Sequence, residues 1–138
     1  MLLGVDYYPE QWDSAIMEAD MDRILELGCN VIRIGEFAWH HMEPEEGKFD
    51  FSYFDGVIDM AKRKGLQIIF GIPTATPPAW LIHKHPDILS QFPDGSSRAF
   101  GGRHTSCYSS LPYWEHCTRI VTELANHYKD EKAIVAWQ

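Results

Sequence analysis

Arg33 and Glu36 stand three residues apart at the end of an otherwise apolar run, Val-Ile-Arg-Ile-Gly. A guanidinium in such a run is expensive to bury unpaired, so it must meet a carboxylate. Glu36 or another acid can be that partner, and the pair can be scaffolding or the wall of a polar site; spacing alone leaves both open. Glu36 could itself serve as an acid or base. A neighbouring guanidinium, however, favours its ionised form, which suits a hydrogen-bond acceptor better than a proton donor.

Two further segments carry a similar mixture. One runs Asp6-Tyr7-Tyr8-Pro9-Glu10-Gln11-Trp12, the other Pro73-Thr74-Ala75-Thr76-Pro77-Pro78-Ala79-Trp80, while Phe37, Ala38 and Trp39 follow Glu36. Aromatic rings set among fixed polar groups suit sugars, whose apolar faces stack while their hydroxyls need donors and acceptors. Trp12, Trp39 and Trp80 fit equally well as aromatics that merely pack their loops.

A later segment, FGGRHTSCYSS, brings Gly101, Gly102, Arg103, His104 and Cys107 together. A metal site needs about four ligands. His104 and Cys107 supply two at most, so no metal is expected. His83 and His85 flank Lys84 and read as solvated; His40 and His41 follow Trp39 in a loop, within possible reach of a ligand.

These residues must be positioned by elements, and the hydrophobic pattern supplies them. Leu2–Tyr8 reads as a short buried strand. Asp13 is a candidate cap for a helix that ends near Leu27 and stops at Gly28, with Met17, Met21, Ile24 and Leu25 at helical spacing. Val31–Gly35 is a β-branched second strand. Ser52 can cap a helix running to Lys64, with Asp55 in its first turn, Gly65 as its stop, and Phe54, Ile58 and Ala61 facing inward. The basic trio Lys62, Arg63 and Lys64 then complements the helix dipole. Leu66–Phe70 is a third strand. A Pro-, Gly- and Ser-rich stretch from Gly71 to Ser110 holds one short helix, Ala79–Lys84. Ser109 or Ser110 caps a helix reaching about Lys129, and Ile134–Gln138 forms a fourth strand.

Apolar strands alternating with amphipathic helices imply an α/β fold with a parallel sheet and crossover helices. An open doubly wound sheet and a closed barrel compete. The first βα turn, YYPEQWDS, contains no glycine, and no glycine-rich phosphate motif occurs. The expected architecture is therefore a partial (β/α)₈ TIM barrel: three βα units and the start of strand four, since a whole barrel takes roughly 250 residues. The last strand would offer an unpaired edge that invites self-association.

Composition agrees with a folded protein. Of 138 residues, 45% are hydrophobic and 23% charged, with a net charge of −8. That balance argues against disorder and gives no clustered basic face for nucleic acid. No run reaches the roughly 18 apolar residues of a membrane helix. Three widely spaced cysteines and an N-terminus without a basic, apolar leader point to a reducing, cytoplasmic setting.

The segments LLGVDYYPEQW, VIRIGEFAWHHMEPEEGKFDF, GIPTATPPAWL, FGGRHTSCYSS and IVAWQ together resemble glycoside hydrolase family 42, the β-galactosidases, over Leu2–Gln138. The resemblance implies a retaining galactosidase on a (β/α)₈ barrel followed by further domains, acting on β-galactosides without a cofactor. Residues 1–138 would be the incomplete N-terminal portion of that barrel. The resemblance puts Arg33 and Glu36 in the galactose subsite and Arg103 in contact with substrate. It puts the acid/base glutamate a few residues beyond Gln138 and the nucleophile near strand seven, so neither lies in these 138 residues, and the chain alone is expected to be inactive. Some relatives bind zinc through four cysteines, one at the position of Cys107; the others would lie beyond Gln138. Members often form homo-trimers. Two alternatives remain at this point: a non-catalytic sugar-binding module on a truncated barrel, and a small doubly wound domain of unrelated role.

Overall fold

A computed structural model describes all residues, 1–138. In chain order the elements are β1 (Gly4–Asp6), α1 (Met17–Glu26), β2 (Val31–Ile34), α2 (Trp39–Met42), α3 (Ser52–Lys64), β3 (Gln67–Phe70), α4 (Ala79–Lys84), α5 (Leu111–Tyr128) and β4 (Ile134–Trp137). Short 3₁₀ turns occupy Pro9–Gln11, Ser14–Ile16, Pro73–Ala75 and Pro86–Ile88. The chain divides into two compact units: Met1–Glu36 with Phe51–Ile72 and Asp130–Gln138, and Phe37–Asp50 with Pro73–Lys129.

The first unit is a parallel sheet in the order β1-β2-β3-β4. Consecutive strands as neighbours, all parallel, is the order of a barrel. A doubly wound sheet reverses direction beside its first strand, and no such reversal is present. The register sets Asp6 beside Arg33, Arg33 beside Ile69, and Phe70 beside Trp137. Ile32, Ile34, Ile68 and Phe70 are fully buried, as are Met21 of α1 and Phe54, Val57 and Ala61 of α3. Each such large apolar side chain contributes about 1.5–3 kcal/mol of transfer free energy.

Local chemistry explains the element ends. Helix α3 stops at Gly65, whose φ of +78° is open to glycine at little cost. Its basic last turn also ties the unit together: Lys64 pairs with Asp22 and Glu18, and Lys62 with Glu131 at 2.9 Å. Asp13 caps the 3₁₀ turn, accepting from the Ala15 amide at 2.9 Å, and α1 proper starts at Met17.

Two sequence expectations need correction. The short first strand is narrower than Leu2–Tyr8 and is not buried: Gly4–Asp6 form the strand, the Leu3 carbonyl and Tyr7 amide extend its bonds toward β2, and Leu2, Leu3 and Val5 are exposed, since within residues 1–138 β1 pairs with β2 alone. Ser52 is the first residue of α3 and not its cap; Phe51 holds the cap position without a side-chain hydrogen bond.

The second unit holds α2, α4 and α5 with the long connecting loops. Pro78, in extended conformation, precedes α4, and Ser110 caps α5, accepting from the Tyr113 amide at 3.5 Å. Tyr113, His116, Cys117, Ile120, Leu124 and Tyr128 recur at helical spacing and form the buried stripe of α5. The stretch between α4 and α5 is folded by paired bridges, Leu89 with Ser106 and Gln91 with Ser97.

Candidate functional site

In the first unit the strands deliver three charged side chains to one point. Parallel register carries Asp6 of β1 alongside Arg33 of β2, and Glu36 lies just past the end of β2. Arg33 Nη2 is 2.7 Å from Asp6 Oδ2 and 2.9 Å from Glu36 Oε2. The same nitrogen donates to the Tyr8 hydroxyl at 3.2 Å, and that hydroxyl donates to Glu36 at 3.5 Å. Arg33 Nη1 donates to the side-chain oxygen of Gln138. The Glu36 side chain is 7% exposed and that of Arg33 20%.

The electrostatics follow from this crowding. Desolvation opposes the charge on Arg33, but the Tyr8 hydroxyl, Glu36 and Asp6 outweigh it and push the guanidinium above its ordinary range. Arg33 Nε is buried with no partner. The cluster is a preformed arrangement of one fork of donors and two acceptors, the kind of surface that orients vicinal hydroxyls.

Glycine makes the approach of β3 possible. A Cβ on Gly71 would lie 2.8 Å from Glu36 Cβ and 2.9 Å from its backbone nitrogen, while the Gly71 amide donates to the Ile34 carbonyl at 2.7 Å. Gly35 has a φ of +86° and lies against the Phe70 ring. The 3₁₀ turn after β1 holds a separate carboxylate, Glu10, within electrostatic reach of Tyr7 and Tyr53. Both oxygens of Glu10 are buried and meet no donor from another residue, and burial pushes its carboxyl up from the ordinary range against the opposing effect of its own backbone amide.

The second unit carries Arg103 on an exposed loop, with its guanidinium 5.2 Å from the centre of the Phe37 ring. His104, next in sequence, has a φ of +54°, and its Nδ1 lies 2.8 Å from the Tyr108 hydroxyl. A cavity of about 340 Å³ is lined by Phe37, His40, Pro77, Pro78, Ile82 and Phe100, among others.

Beneath these loops lies a network that sequence reading did not identify. The Glu43 side chain is fully buried. Its Oε2 accepts from Trp39 Nε1 at 2.8 Å, and its Oε1 accepts from the Gly47 amide at 2.8 Å and from Arg119 Nη2 at 2.7 Å. The Glu43 carbonyl accepts from Trp80 Nε1 at 2.9 Å. Trp39 is thus wholly buried and packs its loop, whereas Trp12 is 62% exposed. His85, expected to be solvated, is half-buried, with its ring 5.5 Å from that of His116. The one available signal was the Trp-x-x-x-Glu spacing of a helical turn, which places residues 39 and 43 on one face.

No group of three or more His, Cys, Asp or Glu side chains is arranged to hold a metal ion, and Cys29, Cys107 and Cys117 are free thiols. No helix is long and apolar enough to cross a membrane.

Comparison with known proteins matches both sequence and fold. A β-galactosidase of Thermus thermophilus is 43% identical over 137 residues, covering 99% of this chain and 21% of the relative. Beta-galactosidase BgaH of Haloferax lucentense is 38% identical over 138 residues, covering 100% and 21%. The solved β-galactosidase of the haloarchaeon Halorubrum lacusprofundi superposes with a TM-score of 0.94 at 39% identity, again over all of this chain and 21% of that one. The chain therefore spans about a fifth of the length of the relatives it matches. Residues 6–138 match glycoside hydrolase family 42, described as Beta-galactosidase, and the chain belongs to that family.

Proposed function

We propose that residues 1–138 form part of the catalytic barrel of a retaining β-galactosidase that releases terminal non-reducing β-D-galactosyl residues. The observation that carries this reading is the cluster of Arg33, Glu36, Asp6 and Tyr8, whose fixed donors and buried acceptor fit galactose hydroxyls. Arg33 and Glu36 hold and orient the sugar, and Arg103 contacts substrate from the loop before α5. Orientation of this kind lowers the barrier by fixing the reacting centre in place.

The chemistry is double displacement by two carboxyl groups roughly 5–5.5 Å apart. One carboxylate attacks the anomeric carbon while the other acid gives its proton to the leaving oxygen. That second group then takes a proton from water, which attacks the same carbon, frees galactose and restores both groups. Both carboxylates belong to chain beyond Gln138, so residues 1–138 contribute galactose-subsite residues and alone are inactive. The reaction calls for no cofactor. Free thiols suit a cytoplasmic enzyme, and association into a homo-trimer is part of the same reading.

Hydrolysis of 4-nitrophenyl β-D-galactoside tests it. Residues 1–138 alone should show none, and protein extended past Gln138 to the length of its relatives should show it. Loss of that activity in Arg33→Gln and Glu36→Gln variants that fold normally is the expected outcome. Turnover by residues 1–138 that survives repurification would place the catalytic carboxylates among Glu10, Glu36 and Glu43 and overturn the assignment.

A further inference from the structure

We propose that Glu10 is a positioning residue for the sugar cluster: held uncharged beneath the turn that follows β1, it keeps Tyr8 against Arg33 and Glu36, and its ionisation loosens that hold, so that galactose binds less tightly in alkaline solution. The inference rests on the galactosidase reading above and adds a residue outside the set which that reading uses.

The turn ties Glu10 to Tyr8. Pro9–Gln11 forms a single 3₁₀ turn with Tyr8 at its N-terminal cap. The Tyr8 carbonyl accepts from the Gln11 amide at 3.0 Å, and the Pro9 carbonyl accepts from the Trp12 amide at 3.2 Å. One residue earlier, the Tyr7 amide donates to the Arg33 carbonyl at 2.8 Å, which carries the β1–β2 pairing up to the turn. Pro9, buried and with φ fixed by its ring, stands between Tyr8 and Glu10. A movement of Glu10 is therefore passed to Tyr8.

The surroundings of Glu10 favour its neutral form. Both carboxyl oxygens are buried and meet no donor from another residue. An ionised carboxylate so placed has lost its water and gained no partner, whereas the protonated acid loses far less. Burial accordingly pushes the carboxyl up, opposed by its own backbone amide. The titratable groups around it do not rescue the anion. Tyr7 of the same segment and Tyr53 of α3 lie within electrostatic reach, and both phenols are held above their ordinary range, Tyr7 at about 12. On the α1 side the Tyr7 hydroxyl donates to Asp20 at 3.5 Å, and Asp20 is paired with Arg23 at 2.9 Å. Two phenols and a carboxylate offer a negative charge on Glu10 no compensation.

Ionisation therefore draws Glu10 toward water, and the turn moves with it. The Tyr8 hydroxyl accepts from Arg33 Nη2 at 3.2 Å and donates to Glu36 Oε2 at 3.5 Å. The second distance is at the far end of a hydrogen bond, so a small shift parts the two groups. Arg33 and Glu36 then meet the sugar as a less ordered surface, which raises the ordering cost of binding.

The experiment measures galactose affinity of the full-length protein by calorimetry from about pH 5 to about pH 9, in the parent, Glu10→Gln, Tyr8→Phe and the double variant. Glutamine has the shape of the protonated acid and cannot ionise. The ratio of parent to Glu10→Gln dissociation constants should rise about three- to tenfold across that range, as Glu10 of the parent gives its proton to water. A ratio that stays flat would overturn the inference. Tyr8→Phe tests the route: alone it should remove the same alkaline loss, and in its background Glu10→Gln should change affinity by less than about twofold at any pH. A pH-dependent effect of Glu10→Gln that persists in full without the Tyr8 hydroxyl would equally overturn it. Glu36→Gln separates the two readings, because it should weaken galactose binding at every pH. If galactose binds that variant as tightly as the parent, the galactose assignment fails, and this inference fails with it. If Glu36→Gln binds weakly while the Glu10→Gln ratio stays flat, only the role of Glu10 is lost.

Discussion

Replacing Glu43 by alanine should be the most damaging single change in the second unit. The substitution removes the acceptor for Trp39 Nε1, the Gly47 amide and Arg119 Nη2 at once. Breaking a buried ion pair by deleting one partner costs about 3–5 kcal/mol, because the other charge stays behind. Arg119 is one-third exposed and can partly rehydrate, which lowers that figure. The stranded indole and amide donors add about 1–3 kcal/mol each, not additively. A net loss of about 3–4 kcal/mol is expected. In urea, with m of about 2 kcal/mol/M, the midpoint should fall by about 1.5–2 M at constant slope. Trp39 and Trp80 both bond to this residue, so tryptophan emission reads the transition at the site of the change. Glu43→Gln should recover only part of the loss, since its amide must turn one donor toward another donor. Glu45→Ala, which removes a pair exposed on both sides, should change stability by less than about 0.5 kcal/mol. A cost below about 1 kcal/mol for Glu43→Ala would refute the reasoning that this carboxylate anchors the loops.

Three further outcomes follow from the geometry. Glu10 is held above the ordinary carboxylate range by burial, so its contribution favours the fold at acid pH and fades as pH rises through the raised value; Glu10→Gln should therefore raise the urea midpoint at pH 7 and lose that advantage near pH 4. Glu46 is held down to about 2, first by the Lys84 hydrogen bond and then by His116, so its contribution is present above about 4.5 and disappears as pH falls toward 2. Unfolding midpoints measured across that window should slope less in Lys84→Met than in the parent. Gly71→Ala would drive a methyl group into the Glu36 backbone, and calorimetry on the full-length protein should show galactose affinity reduced about tenfold or more while the far-ultraviolet dichroism is unchanged.

Much of the scaffold was legible in the sequence because its causes are local. The short helix expected over Ala79–Lys84 has the observed bounds, one of the two serines expected to cap α5, Ser110, does so, and Gly65 marked the end of α3 through a conformation that glycine adopts freely. The β-branched and apolar runs gave parallel strands, and the cost of an unpaired guanidinium showed that Arg33 needs a carboxylate, with Glu36 one candidate; in the fold both Glu36 and Asp6 pair with it. The family resemblance was carried by the same short segments.

What sequence did not reveal depends on which distant segments meet. Asp6 joins Arg33 only because the β1–β2 register sets them side by side, 27 residues apart in the chain. Gln138 reaches Arg33 across 105 positions, and Arg119 reaches Glu43 across 76. Trp39 looked as suited to a sugar as Trp12, yet Trp39 is fully enclosed and Trp12 is not. Residue type and helical or strand period determine where elements form, since those energies arise within a few residues. Burial, charge pairing and the shape of a cavity arise between residues far apart in sequence, and only the folded chain decides them.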